Sequence, residues 1–303
     1  MKAILVAGCM LAPIFEGQAQ TEKPNIIVIF TDDQTYRSIG YNDPAVKTPH
    51  LDALAASGVT FERAYVASPI CAASRASMMT GLFPQQHGVV ALDQRSFAPY
   101  RAPSQSAEQT LPERLKKAGY LTAFYGKSHL GKPKTYGFDA GDELRGHDDV
   151  ETFKQASAFI KSQKDHNQPF FLWLAPRQPH VPLLPSQKWL DLYPSGSIRL
   201  TKNFRAEPSD DSLNNQGTPD ETFYRDSNYR RNIGQLSSGP PRDEKTMLAF
   251  MQAYYAVVSH LEDQVGKLAD LLRETGLMEN TVVIFLSDNG YHLGSHGLGN
   301  KIT

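Results

Sequence analysis

The sequence has little cysteine: two residues, Cys9 and Cys71, in 303. Cys9 falls in an N-terminal leader, so Cys71 has no partner, and a disulfide framework of the kind that staples small exported domains is excluded. Net charge is also lacking, with a formal value of −1. That removes the global field that draws a protein to nucleic acid or an anionic membrane surface. Selectivity for an anion must then be local, and small or sugar-like ligands fit better than polymers held by bulk charge. The leader's apolar stretch, Ala3 to Phe15, is too short for a stable membrane span. Flanked by Lys2 and by Gly17-Gln18-Ala19, it makes residues 1–19 a signal peptide and predicts an exported protein, periplasmic or secreted. A second cleavage pattern, Val6-Ala7-Gly8-Cys9, has the form of a lipoprotein box.

With 40% apolar and 21% charged residues, the chain can bury a full core as one large or two smaller domains. Asn25 to Phe30 is a continuous β-branched run, the mark of a strand buried on both faces of a parallel sheet, and it stops at Asp32-Asp33. Adjacent carboxylates at a buried strand end repel unless a cation or hydrogen-bond donors compensate them, which points to a hard, oxygen-ligated divalent ion or, more plainly, to a solvated turn. Thr48-Pro49 opens a helix closed by Gly58, and Val59 to Val66 continues as strand or extended chain. Cys71 follows, just before a helix start at Ser74 to Met79, where free N–H groups and the cation Arg75 favour anions and thiolates.

Helix and strand signals then alternate. Thr110 to Gly119 reads as a helix, Tyr120 to Tyr125 as a strand, 149–164 as an amphipathic helix and Pro169 to Pro176 as a strand. These strands end in Gly126-Lys127-Ser128-His129-Leu130-Gly131 and in Pro179-His180-Val181-Pro182. About 193–242 is an irregular insertion rich in Ser, Asn, Gly and Pro, with Arg199, Lys202, Arg205, Arg225, Arg230 and Arg231 as cations for an anionic sugar or simply as a solvated loop. Glu244 to Gly276 carries helical periodicity and reads as packing. Thr281 to Leu286 repeats the buried-strand pattern and ends in Asp288-Asn289-Gly290. In a parallel sheet its end shares an edge with Asp32 and Asp33, so Asp32, Asp33, Asp288 and Asn289 can form one Ca²⁺ or Mg²⁺ site.

The pattern Cys71-x-Ala-Ser-Arg75 with Thr80-Gly81, the Lys127-x-His129 loop, Pro179-His180-x-Pro182, Asp288-Asn289-Gly290 and Leu293-Gly294-x-His296-Gly297-Leu298 together resemble the motifs of the type I sulfatases. These are formylglycine-dependent enzymes of the alkaline phosphatase superfamily, and the likeness is to the arylsulfatase and iduronate-sulfatase members. The resemblance covers roughly residues 24–303. It implies an α/β fold with a central, mostly parallel sheet flanked by helices on both faces. Because members continue with further strands and a smaller C-terminal domain, it also implies a catalytic domain over 24–303 that is truncated at its C-terminus.

For the site, the resemblance implies that a formylglycine-generating enzyme converts Cys71 to Cα-formylglycine, whose hydrate is the nucleophile. Residue 71 would join Asp32, Asp33, Asp288 and Asn289 around Ca²⁺, with Mg²⁺ as the alternative. Arg75 and Lys127 would hold the hydrate and the sulfate charge. His180 and Lys301 would contact the ester and protonate the leaving oxygen, and His129 would take the proton that expels sulfate. The implied substrate is a sulfated sugar or an aryl sulfate. A phosphodiesterase or phosphonate hydrolase of the same superfamily and a non-catalytic binder of sulfated glycans stay open as alternatives, and His292 and His296 carry no assigned role.

Overall fold

A computed structural model describes residues 23–90, 110–146, 148–206, 244–297 and Lys301. The leader over 1–19, with Cys9, and the arginines Arg225, Arg230 and Arg231 lie outside the described residues.

The strand segments read from the sequence form parallel strands β1 (Asn25–Thr31), β2 (Leu121–Gly126), β4 (Phe170–Ala175) and β5 (Thr281–Ser287). A short strand the sequence did not suggest, β3 (Ala140–Glu143), completes a five-stranded sheet of order β3-β2-β4-β1-β5. Every pairing is parallel. The helices that return the chain are α1 (Pro49–Ala56), α2 (Cys71–Thr80), α3 (Pro84–His87), α4 (Leu111–Lys117), α5 (Val150–Gln163), α6 (Gln187–Leu190) and α7 (Glu244–Glu274).

Side-chain alternation along β1 shows why both faces need helices. Ile27 and Ile29 pack with Leu51 of α1, Phe153 and Ile160 of α5, and Leu261 and Leu268 of α7. Val28 and Phe30 point the other way, to Ala72, Ala76 and Met79 of α2 and to Phe171 and Trp173 of β4. The small residues on α2 let that helix lie close to the sheet, and Gly81, at φ 74°, ends it in the left-handed conformation.

Three expectations change in detail. Thr48 sits at the N-cap of α1, but its hydroxyl takes the Gly40 N–H at 2.7 Å and gives its proton to Asp52 at 3.0 Å, so it braces a neighbouring turn rather than the helix end. Val59 to Val66 joins no strand, and Val59, Phe61 and Tyr65 are exposed. β5 also departs from the buried pattern: it pairs with β1, while Val282 and Ile284 on its outer face remain 46% and 43% exposed.

Candidate active site

Parallel pairing brings four strand ends to one edge. The β1–β5 register ends at Thr31 opposite Ser287, so Asp32 and Asp33 emerge beside Asp288, and the Asp33 N–H donates to Asp288 Oδ1 at 3.0 Å. β2 ends opposite Ala175 of β4, whose carbonyl accepts the Lys127 N–H at 2.7 Å. Gly126 makes this approach possible: at φ 114°, a Cβ would overlap the Ala175 carbonyl. α2 begins at Cys71 itself, three residues before the expected start, and thereby sets the thiol directly over the strand ends.

Asp32, Asp33, Cys71 and Asp288 are all buried, and each offers a ligand atom within 4.8 Å of the others. Around them stand three buried cations. Arg75 donates Nε to Asp288 Oδ2 at 2.9 Å with Nη2 in ion-pair distance of the same oxygen at 2.8 Å, donates Nη1 to the Lys127 carbonyl at 2.8 Å, and stacks over the Phe30 ring at 5.2 Å. Lys127 pairs with Asp32, and Lys301 pairs with Asp33 while lying 2.6 Å from Cys71 Sγ. His180 Nε2 lies 3.6 Å from Asp33 Oδ2, and the Asn289 amide reaches Cys71 Sγ at 3.7 Å. His129 is half-buried at φ 59°, on the loop that carries Lys127. Asp32, Asp33, Cys71, Arg75, Lys127, His180, Asp288, Asn289 and Lys301 therefore share one locus, and His129 stands two residues along the loop from Lys127.

The electrostatics differ from the expectation at Cys71. Burial, followed by Asp288, Asp33 and Asp32, pushes the thiol well above its ordinary pKa, so the helix N-terminus and Arg75 do not make a thiolate. Unmodified Cys71 is a neutral, poorly nucleophilic group. Burial also raises Asp32, but Lys127, His180, Arg75 and Lys301 outweigh it and hold that carboxyl well below the usual range. Burial and the neighbouring carboxylates push Asp288 up to about 7 despite Arg75. Burial keeps the His180 imidazole below its ordinary value against the pull of Asp32 and Asp33.

Two contributors escaped the sequence reading. Tyr254, on the α7 face taken as packing, accepts the Thr35 N–H at 2.9 Å and donates to the Asp33 carbonyl at 2.7 Å, fixing the turn that aims both aspartates. Asp149 binds the turn before His180 through two backbone amides. Periodicity marks Tyr254 as core, and only the three-dimensional neighbours reveal what its hydroxyl does.

The fold and its edge define a doubly wound α/β protein with a buried crevice of carboxylates and cations outside the carboxyl ends of its strands. The chain belongs to the sulfatase family, whose sequence model matches residues 24–302. It is 28% identical to an ulvan-active sulfatase of Formosa agariphila, over 93% of this chain and 53% of that protein. It is 26% identical to an N-acetylglucosamine-6-O-sulfatase of Bacteroides thetaiotaomicron, over 93% of this chain and 61% of that one. The chain thus spans between half and two thirds of the length of these relatives. A solved structure of a protein bound to its substrate D-glucosamine-2-N,6-O-disulfate superposes with a TM-score of 0.71 at 22% identity, covering 92% of this chain and 68% of that one. The phosphonate monoester hydrolase of Agrobacterium radiobacter shares the fold at a TM-score of 0.68 and 18% identity.

Proposed function

We propose that this protein hydrolyses sulfate monoesters of sulfated carbohydrates, with Cα-formylglycine made from Cys71 as the nucleophile and a divalent cation, Ca²⁺ or alternatively Mg²⁺, beside it. The observation that carries the reading is the placement of one neutral, buried thiol at a helix start among three carboxylates. A plain cysteine in that setting is inert, so the position makes chemical sense when the residue becomes an oxygen nucleophile.

The residues fit a hard cation. Asp33 Oδ2 and Asn289 Oδ1 are buried without a hydrogen-bond partner, and they join oxygens of Asp32 and Asp288, the donor set that suits Ca²⁺ or Mg²⁺. When bound, such a cation supplies positive charge that polarises a sulfate oxygen and lowers the pKa of a neighbouring hydroxyl.

The chain's own side chains supply the remaining roles. Arg75 is fixed by Asp288 and Asp32, and Lys127 is paired with Asp32, so both stand in place for the nonbridging sulfate oxygens and need no reorganisation. Lys301 and His180 approach from the Asp33 side and contact the ester oxygen, where a proton must reach the leaving group. His129 takes the proton from the second hydroxyl of residue 71, the step that expels sulfate and restores the aldehyde. Export to the periplasm or the exterior and a sulfated polysaccharide substrate belong to the same proposal; the names of the carbohydrate sulfatase relatives support the substrate class.

The test is the mass of the tryptic peptide Ala64 to Arg75 from protein produced with a formylglycine-generating enzyme, together with rates on matched aryl sulfate and aryl phosphonate esters. An aldehyde at residue 71 with preference for sulfate is expected. An unmodified thiol under those conditions removes the nucleophile, and a preference for the phosphonate reverses the substrate assignment.

A further inference from the structure

Asp149 is buried to 1% exposure and stands directly before α5, in the left-handed region at φ 56°. A carboxylate there faces a desolvation cost that a neutral cap would avoid, and burial pushes its pKa up to about 7. Both oxygens are nevertheless used in a defined way. Oδ1 accepts the Arg177 N–H at 2.9 Å and Oδ2 accepts the Gln178 N–H at 2.8 Å, two consecutive amides just past the end of β4.

The same turn is held on its other side. The Gln178 carbonyl accepts the Asp32 N–H at 3.4 Å, and the Arg177 carbonyl accepts the His180 N–H at 2.8 Å. One peptide segment therefore connects a buried carboxylate, the backbone of Asp32 and the backbone of His180. The anchor is stiff, because the Asp149 carbonyl accepts the Phe153 N–H at 3.0 Å and so begins a helix whose Phe153, Ala156 and Ile160 are buried against the sheet.

We propose that Asp149 is a positioning residue for His180: by pinning the Arg177 and Gln178 amides it sets the turn that holds the imidazole beside Asp33. This rests on the reading of His180 as a group that contacts the ester. Misplacement of such a group by about 1 Å costs on the order of a hundredfold in rate.

The test compares wild type, Asp149→Asn, His180→Ala and the double variant, with Glu151→Gln on the exposed face of α5 as control. Asp149→Asn keeps the size but turns an NH₂ toward one of the two amides. Turnover of an aryl sulfate is expected to fall about ten- to a hundredfold in kcat, with KM changed far less. In the His180→Ala background the same substitution should cost almost nothing further. Hydrogen exchange over residues 175–183 and the His180 imidazole resonances are read on the same samples without substrate. The Arg177 and Gln178 amides should exchange slowly in wild type and rapidly in Asp149→Asn, with shifted imidazole resonances, while Glu151→Gln changes neither. Losses that multiply in the double variant, fast exchange of these amides in wild type, or an unmoved imidazole in Asp149→Asn would each overturn the proposal. An inactive wild type refutes the sulfate-ester reading instead, and the exchange and resonance data then decide the positioning role by themselves.

Discussion

Replacing Arg75 by methionine keeps a long apolar side chain against Phe30 but removes every polar contact of the guanidinium. Arg75 donates one hydrogen bond to Asp288 Oδ2 and one to the Lys127 carbonyl, and its Nη2 lies in ion-pair distance of Asp288 at 2.8 Å and of Asp32 at 3.6 Å. Deleting one partner of a buried charge set typically costs about 3–5 kcal/mol. Here the cost has two parts with different pH dependence. The orphaned Lys127 carbonyl contributes about 1–3 kcal/mol at any pH. The rest falls on Asp288, which already titrates at about 7 with Arg75 present and must titrate higher without it.

The sign follows from linkage. A carboxyl with a raised folded pKa binds its proton more tightly when folded, so its contribution to stability is fully present below the unfolded value and declines as pH rises to the folded one. In wild type that decline ends near pH 7; in Arg75→Met it continues upward at about 1.4 kcal/mol per pH unit. Urea unfolding of both proteins in chelator, at pH 6, 7, 8 and 9, should therefore show a gap that is small and constant below pH 7 and widens above it. A gap that stays flat across that range would refute the assignment of Arg75 as the charge partner of Asp288.

Tyr254→Phe removes the hydroxyl that bridges Thr35 and Asp33, leaves buried backbone groups unpaired and should cost about 1–3 kcal/mol in urea unfolding; an unchanged midpoint would show that the bridge is dispensable. If the carboxylates hold a divalent cation, chelation should lower the thermal midpoint, and Ca²⁺ at about one hundred times its Kd should restore about 2.7 kcal/mol. No response to Ca²⁺ or Mg²⁺ would rule out the site. His87 is fully buried, its Nδ1 accepts the Val89 N–H at 3.1 Å, and Nε2 faces Ser77 Oγ at 2.9 Å, an arrangement that requires neutral imidazole. Burial depresses its pKa, so the stability it confers is present above about 6.5 and lost as pH falls below that value. His87→Gln should flatten the acid side of the stability profile relative to wild type, and equal acid slopes would refute this role.

β1 and β4 were legible because burial on both faces writes an unbroken apolar run, and β5 because its apolar run is equally unbroken although Val282 and Ile284 are exposed. β3 was not, since Ala140-Gly141-Asp142-Glu143 is a short edge strand that pairs with β2 alone and carries no such run. The acidic cluster was legible for a different reason: two strands each ended in oxygen-bearing side chains, and parallel topology requires such ends to share an edge. What the sequence could not supply was the balance of fields at Cys71. The helix N-terminus is local and readable, whereas the opposing carboxylates come from 39 residues earlier and from the far end of the chain, Asp288 being 213 residues beyond Arg75. Asp149 was invisible for the same reason, its amide partners lying 28 and 29 residues away.

The charges of this crevice explain why it tolerates burial at all. Asp32, Asp33 and Asp288 face Arg75, Lys127 and Lys301, so the ionised set is neutral as a whole although every member is at most 8% exposed. On the proposed function, a divalent cation entering this set would leave uncompensated positive charge in a region of low dielectric, and a sulfate ester would carry the negative charge that relieves it. Cation and ester should therefore bind more tightly together than either does alone. The neutrality also sets the price of substitution: removing one cation strands a carboxylate, and removing one carboxylate strands a cation, so conservative changes at these six positions should be felt in stability before they are felt in chemistry.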